Sequence, residues 1–154
     1  MAFTTSTSAN FVCAIDFGTS TTSVGVVDRS GQLHILRFNG QPSFPSVVYL
    51  PPSDPDRALV GNDAAPKPHH VIRECKRLMG LFFEDPFVAA LLSSERLAFP
   101  PIVPAPSQKA QFLLGSEDQT LRVLPFEVAA HVFAYVHRTL AATFNLDPAD
   151  TFPC

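Results

Sequence analysis

Asp16, Gly18 and the hydroxyl run Thr19-Ser20-Thr21-Thr22 lie together in the stretch FVCAIDFGTSTTSVGVV, residues 11–27. These residues have the clearest chemical use in the chain. A tight turn from Gly18 to Thr22 offers backbone N–H groups and hydroxyls to an oxyanion, and Gly18 lets the backbone approach a ligand closely or take a positive φ. That is a phosphate cradle in composition, although it lacks the G-x-x-x-x-G-K-S/T pattern of the nucleotide-binding P-loop. Asp16 falls near the end of the apolar run Phe11–Phe17. The same residues also describe a β-hairpin whose polar turn simply faces water.

The elements that would position this turn can be read in order. Phe11–Phe17 is a strand, and Val24, Val26 and Val27 begin a second. Asp28-Arg29-Ser30-Gly31 is a turn, and Gln32–Phe38 reads as a third strand, which makes an antiparallel meander. After the Asn39-Gly40 turn, Ser46–Leu50 is a short strand bounded by Pro45 and Pro51-Pro52. Residues 51–57 form a polar loop, and Leu59-Val60-Gly61 is again extended. Asn62 or Asp63 caps a helical turn through Ala65, which Pro66 and Pro68 end.

Val71–Met79 reads as a helix closed by Gly80, with Ile72, Cys75, Leu78 and Met79 on one face. Lys76 and Arg77 fall in its last turn, where cations suit the helix dipole. Asp85-Pro86 starts a helix to about Ser94 that buries Val88, Leu91 and Leu92. Pro100–Pro106 is an irregular loop. Gln111–Leu114 and Thr120–Leu124 are strands joined by the turn Gly115–Asp118. Phe126–Phe144 is the longest helix, with an apolar stripe of Val128, Val132, Phe133, Val136, Leu140 and Phe144. Leu124-Pro125 gives this helix a proline start but no capping side chain. His69 and His70 are adjacent with no third ligand at metal spacing, so a metal role is not expected of them.

The chain's 154 residues are enough for one domain with a core. It is 46% hydrophobic and only 16% charged, so some apolar surface is expected to be covered by a partner or by further chain. A net charge of −3 with scattered basic residues gives no nucleic-acid footprint. Cys13, Cys75 and Cys154 have no metal or disulfide spacing, and reduced thiols fit a cytoplasmic protein, the nucleus being an alternative. Residues 1–10 read as a disordered tail without the features of a signal or transit peptide. No apolar run approaches the length of a membrane span.

Three stretches occur in a telling order: Ile15-Asp16-Phe17-Gly18-Thr19-Ser20-Thr21, then Phe44-Pro45-Ser46-Val47-Val48, then Val60-Gly61 followed by Cys75-Lys76-Arg77-Leu78-Met79-Gly80. Together they resemble the N-terminal part of the seventy-kilodalton heat-shock chaperones (the heat shock protein 70 family), whose ATPase domain has the actin-like, ribonuclease H-like fold. Actins and sugar kinases share the first stretch loosely. The Lys-Arg-Leu-x-Gly end is more specific to the chaperones. The resemblance covers roughly residues 11–148 and is weak between Phe87 and Leu124.

This resemblance implies an α/β fold, the first lobe of an ATPase domain over residues 11–154, with ATP or ADP and Mg²⁺ as ligands. It implies that Asp16 orders water around the magnesium, that Gly18, Thr19, Ser20 and Thr21 form the first phosphate loop, and that Lys76 is the catalytic lysine reaching the γ-phosphate and the attacking water. Such roles suit phosphoryl transfer, which needs positioning and charge neutralisation. Phe44 stands where the family usually has threonine, which removes a hydroxyl expected near the phosphates. Ser20 replaces a threonine and keeps its hydroxyl. The family's second lobe brings a second glycine-rich phosphate loop, whereas the seven glycines here all stand singly. The expectation is therefore an incomplete lobe, without the second lobe or the peptide-binding domain, that is inactive alone. The alternatives are a non-enzymatic module that binds a co-chaperone or the complementary lobe, and a fragment of an actin or sugar-kinase relative.

Overall fold

The computed structural model describes residues 12–28, 30–67, 69–93, 100–116 and 118–146. The expected tail over residues 1–10 lies outside them, as do Ser94 and everything after Leu146. Alternating small and β-branched residues build the first sheet. β1 (Val12–Phe17) and β2 (Thr21–Val27) pair antiparallel from Val12↔Val27 to Phe17↔Thr22. The period-two alternation sends Cys13, Val24 and Val26 into the core and leaves Val12 and Val27 outside. β3 (Leu33–Ile35) pairs with the far half of β2, and β4 (Ser43–Pro45) with its near half. The expected meander is present, but its third strand is shorter than Gln32–Phe38. Leu36 still donates to the Val24 carbonyl, and Phe38 then turns through Asn39-Gly40 to bridge Gln41.

Two smaller sheets follow. β5 (Val48–Tyr49) lies between β6 (Leu59–Val60) and β7 (Val71–Ile72). The expected strand over Ser46–Leu50 thus keeps only its middle, because Ser46 and Val47 carry the chain from one sheet to the next. Gly61–Asp63 forms a single 3-10 turn with no side-chain cap, so neither Asn62 nor Asp63 acts as one.

The expected helix over Val71–Met79 does not form. Val71 and Ile72 are β-branched and pair with Tyr49 and Val48. Glu74 then takes a left-handed conformation at φ 52°, which breaks any helical path, and only Cys75–Leu78 coil, as a 3-10 turn. Cys75 and Leu78 are buried as expected, whereas Met79 is exposed.

β9 (Ala110–Ser116) is the centre of the third sheet, between β8 (Ile102–Pro104) and β10 (Gln119–Val123). The proline-rich stretch from Pro100 is therefore not wholly irregular. Its strand is an edge strand, where a missing N–H is tolerated. α1 (Pro86–Leu92) starts as expected, with Asp85 Oδ1 accepting from the Phe87 N–H at 2.8 Å, and it buries Val88 and Leu91 but exposes Leu92.

α2 (Pro125–Phe144) ties the parts together. It touches β5, β6, β9 and the Cys75–Leu78 turn through Val128, Val132, Val136 and Leu140, all buried. Each such side chain contributes about 1.5–3 kcal/mol on burial. Leu124 supplies no side-chain cap, as expected, but Glu127 reaches back and accepts from the Leu124 N–H at 2.6 Å. Phe38, Phe44 and Tyr135 join the first sheet to α2, with ring centroids 4.4, 5.0 and 5.6 Å apart.

Asp28 closes the β2–β3 connection. Its Oδ1 accepts from the Ser30 hydroxyl and from the Ser30 and Gln32 N–H groups, and its Oδ2 lies 2.7 Å from His34 Nε2. The Ser30 hydroxyl first, and His34 second, hold this carboxyl well below the usual carboxylate range. A depressed carboxyl stabilises the folded state above its unfolded pKa, and that stability is lost as pH falls through the folded value. The wild type should therefore exceed Asp28→Asn in urea midpoint at neutral pH, and the two should converge as the solution is acidified.

Candidate functional site

The candidate site is the turn between β1 and β2, together with what three later segments bring to it. Gly18 donates to the Thr21 carbonyl at 3.0 Å. A Cβ on Gly18 would lie 2.5 Å from that oxygen, so glycine is required by close approach rather than by a positive φ. The turn is held from below by Ser46, which is 2% exposed. Ser46 Oγ donates to the Gly18 carbonyl at 2.9 Å and lies 2.9 Å from the buried Thr22 hydroxyl. Because Ser46 has one hydroxyl proton, Thr22 is the donor in the second bond. The Ser46 N–H donates to the Ser20 carbonyl at 2.8 Å. One residue thus fixes both ends of the loop.

The turn's outward groups are left open. Among the described residues, the N–H groups of Thr19 and Ser20 meet no acceptor, and the hydroxyls of Thr19, Ser20 and Thr21 have no partner. Asp16 is exposed on the flank of the loop, and its carboxylate meets no donor.

Lys76 arrives from the 3-10 turn. Its Nζ donates to the Phe17 carbonyl at 2.6 Å, across 59 residues of sequence, and lies 5.6 Å from the centre of the Phe17 ring. The ammonium therefore serves a different backbone carbonyl from those of its own turn. Buried Cys75 and Leu78 anchor that turn on either side of it. Burial pushes the Cys75 thiol up to about 11, which keeps it neutral and makes it an anchor rather than a nucleophile. The neighbouring Arg77 pairs with Glu74 at 2.7 Å and so faces elsewhere. Behind the loop, the Phe17 ring packs on Phe133 of α2 at 5.3 Å.

All six sequence-identified residues, Asp16, Gly18, Thr19, Ser20, Thr21 and Lys76, therefore gather at one end of β1. Phe44 does not join them. Its ring is buried against Phe38 and Tyr135, and it sits where a Cβ on Gly61 would be 3.1 Å from it. The large side chain packs in the core beneath the loop, and the loop's own hydroxyls stay in place. Sequence reasoning missed the part played by Ser46 and Thr22. Their signal was a serine at the start of an apolar run, opposite a hydroxyl-rich turn. Among the described residues no three His, Cys, Asp or Glu side chains group closely enough to hold a metal directly.

Mixed α/β architecture in antiparallel sheets, with a hydroxyl-rich hairpin turn met by a distant lysine, defines the class: a lobe of the actin-like ATPase type. A family model described as Hsp70 protein matches residues 12–147, and the chain belongs to this family of ATP-binding chaperones.

Ser46→Ala leaves the Gly18 carbonyl and the Thr22 hydroxyl without a buried partner. It should lower unfolding free energy by about 1–3 kcal/mol, measured in urea. Hydrogen exchange at the Gly18 amide should accelerate more than exchange in α2, which separates loosening of the turn from loss of the whole fold.

Proposed function

We propose that residues 12–146 provide the first phosphate-binding face of a chaperone ATPase. The observation that carries this reading is the convergence of Lys76 on the Phe17 carbonyl, beside a turn in which the Thr19 and Ser20 amides and the Thr19, Ser20 and Thr21 hydroxyls are unengaged among the described residues. A hard cation takes oxygen ligands and keeps much of its water, so an exposed, donor-free carboxylate such as Asp16 fits hydrated Mg²⁺. Bound magnesium would supply charge neutralisation at the phosphates. Asp16 holds that cation's water. Gly18, Thr19, Ser20 and Thr21 form the phosphate loop for ATP or ADP, in which the Thr19 and Ser20 N–H groups and the three hydroxyls bind phosphate oxygens and Gly18 allows the close turn. Lys76 brings a mobile point charge, which exchanges the Phe17 carbonyl for the γ-phosphate and orients the attacking water.

Two parts of a working site are not supplied by these residues: a second phosphate loop and an adenosine pocket. The 154 residues assayed alone therefore bind nucleotide weakly and do not turn it over. In the cell this chemistry would serve cycles of peptide binding in the cytoplasm or nucleus.

A second reading rests on the outer face of the first sheet, where Val12, Leu33 and Ile35 are each at least half exposed. A co-chaperone or the complementary lobe would cover this surface in a non-enzymatic interaction module.

Titration with MgATP should shift the amide resonances of Gly18–Thr21, and Lys76→Ala should weaken the effect. Asp16→Asn should remove its magnesium dependence. Amide shifts confined to other parts of the chain would count against the phosphate-loop assignment. Phosphate release by the chain alone should stay at background, and release that Lys76→Ala abolishes would overturn its inactivity.

A further inference from the structure

A separate cavity is lined neither by the residues of the phosphate turn nor by Lys76. It has a volume of about 460 Å³ and is open to solvent, between the β7 region and the β8–β9 pair. Four basic side chains line it, Lys67, His69, His70 and Arg73, over apolar walls that include Val71 and Leu114, and among the described residues no carboxylate does. In a chain with 14 Asp and Glu against 11 Lys and Arg, Lys67 and Arg73 together on this wall run against the overall balance.

The two full charges are also unneutralised. Among the described residues, neither Lys67 nor Arg73 lies within ion-pair distance of a carboxylate. Arg73 Nη2 donates to the Ala65 carbonyl at 2.9 Å, which orients the guanidinium and leaves its other N–H groups open. Glu74 is the acid next to it in sequence, but its carboxylate is held by Arg77 at 2.7 Å. Lys67 Nζ rests 5.6 Å from the centre of the Tyr49 ring. Tyr49 lines a second cavity of about 330 Å³, which shares His70 and Gly115 with the first and is continued by Pro51 and Gln119. The two cavities form one groove.

We propose that this groove docks an acidic peptide segment of a partner protein. Lys67 and Arg73 meet its carboxylates, His69 and His70 donate ring N–H groups, and Tyr49 and Val71 cover the apolar parts of the peptide. A simple anion would use the cations and leave the apolar walls and the second cavity empty. An extended acidic chain uses all three, and charge complementarity selects it over a neutral one. The site is independent of the phosphate loop, so its fate does not depend on nucleotide binding.

The test uses the full chain and a fluorescently labelled peptide of alternating Glu and Leu, with a Gln-for-Glu peptide as control. Anisotropy should report binding of the acidic peptide that weakens as salt is raised. The charge reversals K67E and R73E lie on exposed side chains and should together weaken binding by about tenfold, with the circular dichroism spectrum unchanged. Chemical shifts of Val71 and Leu114 should move with the acidic peptide. Equal binding of the Gln peptide, binding unaffected by K67E and R73E, or no binding at low salt would overturn the proposal. So would inorganic phosphate or anionic lipid vesicles binding with the same sensitivity to those variants while the peptide does not.

Discussion

A buried hydroxyl must find its hydrogen-bond partners inside the protein, and that constraint at Ser46 governs the end of β1. With water excluded, the side chain takes the Gly18 carbonyl as acceptor and the Thr22 hydroxyl as donor, while its own amide takes Ser20. Leaving such a group unmade costs more than making it returns, so the geometry is narrow. The turn is thereby held with its Thr19 and Ser20 amides unengaged among the described residues. It need not be rebuilt when an anion arrives, which is what electrostatic preorganisation requires.

The packing beneath serves the same end. Phe44 sits two residues before Ser46, in β4, and its ring is clasped by Phe38 and Tyr135. Gly61 passes close beside that ring and donates to the Val47 carbonyl, so the segment carrying Ser46 is fixed on both sides. α2 supports Tyr135 from below and Phe17 through Phe133. A loop with almost no apolar residues of its own therefore inherits its order from a dry core one layer away.

Much of this was legible in the residue pattern. The alternation through Cys13, Val24 and Val26 gave the meander, the stripe from Val128 to Leu140 gave α2, and Asp85-Pro86 gave the start of α1. The chemically useful residues of the turn were visible because glycine and hydroxyls stand out against apolar strands. What could not be read depended on distant partners. Val71 and Ile72 carry helical spacing with Cys75 and Leu78, yet pairing with β5 outweighed it, and the left-handed Glu74 has no signature in its own neighbourhood. Pro104 became an edge-strand residue only because β9 offered a partner. The reach of Lys76 to Phe17 was equally unreadable from local sequence, since a lysine in a final helical turn has a sufficient local reason to be there. The packing of the Phe44 ring on Phe38 and Tyr135 was likewise unreadable, since both partners lie outside its own motif.

The hydrogen bond from Lys76 to Phe17 spans 59 residues, and the one from Ser46 to Gly18 spans 28. Contacts of such sequence separation form after local ones, because the entropy of closing the intervening chain must be met first. The β1–β2 hairpin can therefore appear early in folding, but its turn is not locked until β4 and the Cys75–Leu78 coil have docked. During synthesis, a ribosome-bound chain that ends before Lys76 would carry the hairpin without its cation. Readiness for an anion thus follows the docking of two later segments and is not a property of the hairpin alone.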